Sequence, residues 1–155
     1  MKNIHILVAL AVMTVLGTAA RAHDKSAPLD ADSKSYLTQY ENVRGALAAD
    51  DLASAKKAAG EIAKQLSAMV KDHPRAEPAA DAATKLASAE SLAAAREAFK
   101  PLSKRAVHLV ANQEGYYVAN CPMVAGGEGD WVQTSKKISN PYFGKAMLTC
   151  GSIKE

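Results

Sequence analysis

The chain is poor in cysteine, with two in 155 residues, and in aromatic side chains, with one tryptophan, two phenylalanines and five tyrosines. Two cysteines cannot build a disulfide-dense scaffold or a four-cysteine zinc site. They lie twenty-nine positions apart, and there is neither a CxxC redox motif nor a CxxCH haem attachment site. No serine, histidine and acid trio stands out, no paired-carboxylate pattern is present, and "GGEG" (126–129) lacks any phosphate-binding context. These absences argue against an enzyme. Excess charge of one sign is also missing once the first residues are set aside, as follows.

No acidic residue precedes Asp24, while Lys2 is followed by the apolar run "ILVALAVMTVLGTAA" (6–20). A basic start, an apolar middle and a small-residue end are the layout of a secretory signal peptide. "ARA" (20–22) fits the cleavage rule, which gives a signal peptide over 1–22 and a mature domain over 23–155; a cut after Ala20 is the alternative. The run is short for a membrane span and no second one follows, so no span is expected after cleavage. A soluble exported protein is expected, periplasmic in a two-membrane cell. Loss of Lys2 and Arg21 leaves 17 basic against 16 acidic residues, a net charge of +1. That near-balance does not support nucleic-acid binding.

What is present is helix-forming sequence. Tyr36, Tyr40, Val43 and Leu47 recur at spacings of four and three, one helical face, with Asp32 or Ser33 available as its cap. Leu52, Ala55, Ala59, Ile62, Leu66 and Met69 form a second stripe, capped by Asp50 or Asp51 and stopped by Pro74 and Pro78. From about Ala79 a third pattern carries Ala82, Leu86, Ala89, Ala93, Phe99, Leu102, Ala106 and Leu109. A break near Ser88 and another break or kink near Pro101 are expected within it. Alanine favours helix and lets axes approach closely, but buries little apolar area. The expected fold is mainly α: an up-and-down bundle of three to four helices.

The last forty residues differ. They hold both cysteines, most of the glycines, and five of the eight aromatics. "YYVANC" (116–121) and "DWVQTS" (130–135) read as short strands around the "AGGEGD" turn, and "NPYFGKAML" (140–148) as a turn leading into a short helical segment. An irregular or β-hairpin segment over about 116–152 therefore closes the chain, and such segments are where function concentrates.

Within it the sulfur atoms are paired. Cys121 stands two residues before Met123, and Met147 three residues before Cys150. Residues two apart on a strand share a side, and residues three apart on a helical turn share a face. Each pair would then offer two soft donors, and thiolate with thioether selects Cu(I), or the similar Ag(I), over hard cations. Trp131 could stack on the metal as a lid, through the quadrupole of its ring. The plainer readings are a Cys121–Cys150 disulfide that staples the segment, methionines that fill core gaps, and a core tryptophan. Tyr142 and Phe143 read as core. His108, on the last helix, is a possible extra ligand or a surface residue. His73 reads as a solvated helix end, and His23, if it begins the mature chain, could chelate Cu(II). Asp50 and Asp51 are accounted for by helix capping.

Five stretches carry a family resemblance: "DDLASAKKAA" (50–59), "AREAFKPLS" (95–103), "CPM" (121–123), "DWVQ" (130–133) and "NPYFGKAMLTCG" (140–151). Over roughly 33–152 the chain resembles the family known as domain of unknown function 3347, whose members occur alone in exported bacterial proteins or attached to adaptor subunits of copper and silver efflux systems. The resemblance implies a stand-alone helical domain with a soft-metal site on Cys121, Met123, Met147 and Cys150. It implies a Cu(I) or Ag(I) cargo, and an efflux-pump adaptor or other metal acceptor protein as partner. A disulfide-stapled interaction module free of metal is the competing expectation.

Overall fold

The computed structural model describes residues 28–154. The expected signal peptide and His23 lie outside these residues. Four α-helices come first: α1 (Ala31–Ala48), α2 (Leu52–Met69), α3 (Glu77–Ala87) and α4 (Leu92–Leu109). Three short strands follow, β1 (Tyr117–Asn120), β2 (Asp130–Gln133) and β3 (Ser152–Ile153), with single 3₁₀ turns at Pro74–Ala76, Ala125–Gly127 and Gly144–Met147. The fold is mainly α, with a small antiparallel sheet at the C-terminal end.

Each helix packs on the next, and α4 also returns to α1, which closes the bundle. The stripes supply the interior. Tyr36, Tyr40, Val43 and Leu47 of α1 are buried, as are Ala55, Ala59, Ile62 and Leu66 of α2. Ala82 and Leu86 of α3 and Phe99, Leu102 and Ala106 of α4 complete the core. Ala93 departs from its predicted stripe and is exposed, because α4 starts at Leu92 with a fresh helical phase after the break at Ser88.

Several helix ends differ from expectation. The α1 cap is Asp30, whose carboxylate accepts from Ser33 N–H at 2.7 Å, rather than Asp32 or Ser33. Asp51 alone caps α2, accepting from Ser54 N–H at 3.0 Å. Helix α2 ends at Met69, before either proline; Pro74 opens a 3₁₀ turn and Pro78 sits in the first turn of α3. There a missing N–H costs nothing, since the first turn has no intrahelical acceptor for it. Pro101 does not break α4, which runs through it. The ring is exposed, so it displaces no core neighbour, and packing of Phe99, Leu102 and Ala106 outweighs the one missing hydrogen bond.

The sheet order is β2-β1-β3, all antiparallel. Ala119 of β1 faces Trp131 of β2 and Ile153 of β3. Strand β3 is two residues long and too short to leave an alternation signal in the sequence. The sheet is joined to the bundle by a buried polar chain. Val132 N–H donates to the Tyr40 hydroxyl (3.0 Å), Tyr40 donates to Ser103 Oγ (2.9 Å), and Ser103 donates to the Asp130 carbonyl (2.7 Å). The Tyr142 hydroxyl donates to the same carbonyl at 2.7 Å. Burial holds the Tyr40 and Tyr142 hydroxyls well above the ordinary tyrosine range, so both remain donors. Alongside runs an aromatic ladder: Tyr36 to Tyr40 (6.2 Å between centroids), Tyr40 to Phe99 (5.2 Å), Phe99 to Tyr142 (5.7 Å) and Tyr142 to Trp131 (6.2 Å). Five of the eight aromatics of the chain thus form one continuous seam from bundle to sheet.

Candidate functional site

The two cysteines come from opposite ends of the C-terminal segment and meet. Cys121 follows β1; its N–H donates to the Gly129 carbonyl (3.1 Å) and its own carbonyl accepts from Val124 N–H (3.3 Å). A Cβ at Gly129 would collide with that carbonyl, so the turn depends on glycine here. Cys150 follows the last 3₁₀ turn, and its N–H donates to the Met147 carbonyl at 3.0 Å. No bond joins them, and their Sγ atoms lie 2.8 Å apart. Cys121 is buried, whereas Cys150 is half-buried. The Cys121 thiol beside it, together with desolvation, holds the Cys150 thiol above its ordinary pKa.

Asn140 fixes the Cys150 side of this contact. Fully buried, it donates from Nδ2 to the Cys150 carbonyl (2.8 Å) and accepts on Oδ1 from Tyr142 N–H (2.8 Å) and Phe143 N–H (3.3 Å). Its backbone N–H donates to the Leu148 carbonyl (2.8 Å) and its carbonyl accepts from Gly144 N–H (3.1 Å). One side chain and its own peptide groups therefore close the loop from 140 to 150. Sequence reading passed over Asn140, although the Asn-Pro pair is a turn signal and a side-chain oxygen bonded two residues on is the Asx turn it foretells.

Two arginines hold the same loop to the bundle. Arg44 donates to the Ser139 carbonyl (3.0 Å) while paired with Glu41. Arg96 of α4 donates to the Pro141 carbonyl (3.0 Å), the Leu47 carbonyl (3.1 Å) and the Asp50 carboxylate (2.5 Å). Asp50, at φ 59°, accepts in addition from Lys145 N–H at 3.2 Å. Capping does not account for this residue: Asp51 caps, and Asp50 clamps the α1–α2 turn to the loop that carries Met147. Nothing local marks that role, because the partner lies 46 residues away.

The methionines behave differently from the cysteines. β1 ends at Asn120, so the strand alternation expected to align Cys121 with Met123 does not reach them. Met123 is 62% exposed beside a buried Cys121, and Met147 is 37% exposed at the end of a single 3₁₀ turn. With Leu148 (38%) they are the exposed large apolar side chains among the described residues, and all three lie on the two loops that bear the cysteines. Neither methionine is a core gap-filler.

Trp131 is fully buried; its indole N–H donates to Gln133 Oε1 at 2.9 Å. Its ring edge lies 2.8 Å from where a Cβ on Gly151 would stand, so it packs beneath the segment just after Cys150 as a core anchor. Tyr142 is buried and Phe143 partly buried. His108 is exposed near the end of α4, where it lines a cleft with Lys104, Gly127, Glu128 and Asp130. His73 is exposed in the α2–α3 connection. Among the described residues no three histidine, cysteine or acidic side chains are grouped as metal ligands; the thioethers nearest the cysteines in sequence are Met123, two residues after Cys121, and Met147, three before Cys150. That donor set is soft, and suits a monovalent coinage metal better than zinc. A metal bonded to two thiolates at about 2.3 Å each holds them roughly 4 Å apart, so the pair would open by about 1 Å to admit one. Bonding the sulfurs directly would close it to about 2.05 Å. Both moves are small.

No helix among the described residues is long and apolar enough to cross a membrane. No curated protein and no solved structure is significantly similar to this chain. A family model does match, over residues 36–115, which covers most of the helical bundle and ends ahead of both cysteines. On the strength of that match, spanning half of its length, the chain belongs to the family described as protein of unknown function, DUF3347.

Proposed function

We propose that this protein is an exported soft-metal carrier which binds Cu(I) or Ag(I) on Cys121 and Cys150, with Met123 and Met147 as thioether donors, and buffers the ion or passes it to an acceptor. The observation that carries the reading is the meeting of two thiols from distant loops at 2.8 Å, with an exposed methionine two or three residues away along each of those loops. Exposed thioethers are costly as packing and useful as donors, since they carry no proton to lose and do not form disulfides. A half-buried site at the edge of a rigid bundle also lets an acceptor's ligands reach the ion. The first 22 residues fit export, periplasmic in a two-membrane cell, and a metal acceptor such as an efflux-pump adaptor fits the role.

Anaerobic titration of the reduced protein with Cu(I) against a competing chelator tests this. About one tightly held ion is expected, with sulfur neighbours in X-ray absorption. Cys121→Ser and Cys150→Ser should each weaken binding by at least about 10- to 100-fold, the range seen for lesser perturbations of metal sites. Met147→Leu should weaken it less but measurably. Unchanged affinity in all three variants would end the proposal.

The second reading, a disulfide-stapled interaction module without metal, is favoured by the same 2.8 Å contact, which is closer to a bonded than to a metal-bridged separation. It expects the cysteines to be oxidised in protein isolated without reductant, and the methionine variants to leave copper binding unchanged.

A further inference from the structure

The two thiols touch, yet they are not equivalent, and that asymmetry has chemical consequences. Cys121 is 1% exposed, enclosed by the turn that Gly129 and Val124 close over its peptide groups. Cys150 is half-buried, and residues 145–149 before it are exposed throughout. A reagent from solvent therefore reaches one sulfur of the pair and not the other. Meanwhile the contact is built rather than incidental: Asn140 holds the Cys150 peptide, and the Arg96–Asp50 clamp holds the loop.

We infer that Cys150 is the entry point for thiol–disulfide exchange with small-molecule disulfides, and that Cys121 is the thiol that resolves the mixed disulfide formed there. In the first step the Cys150 thiolate attacks one sulfur of the external disulfide; a bond forms between Cys150 Sγ and that sulfur, and the other half leaves as a thiolate. In the second the Cys121 thiolate attacks Cys150 Sγ, the mixed disulfide breaks, and the second half leaves. Two protein thiols are oxidised by two electrons, one external disulfide is reduced to two thiols, and the two protons pass to the departing thiolates. Because Cys121 already lies against Cys150, the second step is an intramolecular reaction between oriented groups and is fast relative to the first. The site then reports the disulfide content of its surroundings by closing. The inference does not depend on metal: it concerns the two sulfurs alone and goes beyond both functional readings.

Reduced, metal-free protein kept in chelator is exposed to glutathione disulfide, quenched with acid and weighed, so a failure here says nothing about copper affinity. Wild type is expected to lose two hydrogens without accumulating a glutathione adduct. Cys121→Ser should accumulate one adduct, on Cys150, at the rate at which wild type loses thiols. Cys150→Ser should react at least about tenfold more slowly, because its remaining thiol lies out of reach. Since a serine could disturb the fold, wild type is also treated with a limiting amount of an alkylating reagent and mapped by peptide; Cys150 should carry the first label. Equal labelling of both cysteines, or a stable glutathione adduct on wild type, would overturn the inference.

Discussion

Asn140 shows how much a single polar residue can organise when it is buried and fully used. Its side chain satisfies one carbonyl and two N–H groups that the 140–150 loop would otherwise bury unpaired. Leaving a buried polar group without a partner costs about 1–3 kcal/mol. Asn140→Ala should therefore lower stability by about 2–4 kcal/mol, which urea unfolding of the reduced protein would measure. Asn140→Asp separates stability from positioning. It keeps the acceptor for Tyr142 and Phe143 but sets an oxygen against the Cys150 carbonyl, so the turn persists while Cys150 loses its tether. Closure of the Cys121–Cys150 pair by glutathione disulfide should slow in Asn140→Asp even under conditions where the variant is fully folded. A purely structural residue would not slow it once folding is held constant. Gly151 is a second such point. At φ 127° a side chain is strained, and a Cβ would stand 2.7 Å from the Asn120 carbonyl and 2.8 Å from the Trp131 ring. Alanine there should push apart the strand and the ring beneath the cysteine pair.

At the scale of elements, the Asp50–Arg96 pair joins the α1–α2 turn, α4 and the last 3₁₀ turn. The Arg96 guanidinium hydrogen-bonded to it, with lesser help from Lys145, holds the Asp50 carboxyl below its ordinary pKa of 3.8. A carboxyl depressed in the folded state contributes stability above its unfolded pKa and loses it as pH falls through the folded one. Asp30 and Asp51, depressed by the Ser33 and Ser54 groups that they cap, act in the same direction. Thermal unfolding should hence be nearly flat from neutrality to about pH 5 and begin to fall below about pH 4. Asp50→Asn should lower the plateau and flatten the fall; a parallel shift of the whole curve would show that the pair is not its source. This clamp also marks where sequence reading stopped. The helices were legible because Tyr36, Tyr40, Val43 and Leu47 repeat at the period of the structure that buries them. The meeting of Cys121 and Cys150 could be wagered from their neighbours. Asp50 was not legible: beside Asp51 it has the signature of a cap, and only the folded chain brings Arg96 to it. Met123 departs from the expected alignment with Cys121 because β1 ends at Asn120, and the turn rather than strand alternation decides the geometry beyond it.

For the molecule as a whole, the sulfur pair lies where the irregular segment closes back on itself, and any bond across it ties residue 121 to residue 150. A disulfide closing a loop of about thirty residues stabilises by roughly 3–4 kcal/mol, mainly by restricting the unfolded chain. A metal held by the folded protein at a free concentration of 100 times its Kd contributes about 2.7 kcal/mol, by mass action. Both draw on the same two thiols, so the gains cannot add. Oxidised protein should unfold at higher urea than reduced protein and show no further shift with Cu(I), while reduced protein should shift with Cu(I) in a concentration-dependent way. The helical bundle, which contains neither cysteine, should set the common baseline from which both shifts start. If oxidised protein is stabilised by Cu(I) as strongly as reduced protein, the ion sits somewhere other than the cysteine pair. In that case the exposed methionines and the exchange chemistry of Cys150 would have to be explained separately. Unfolding curves of the same preparation, reduced and oxidised, with and without the ion, decide between one shared site and two.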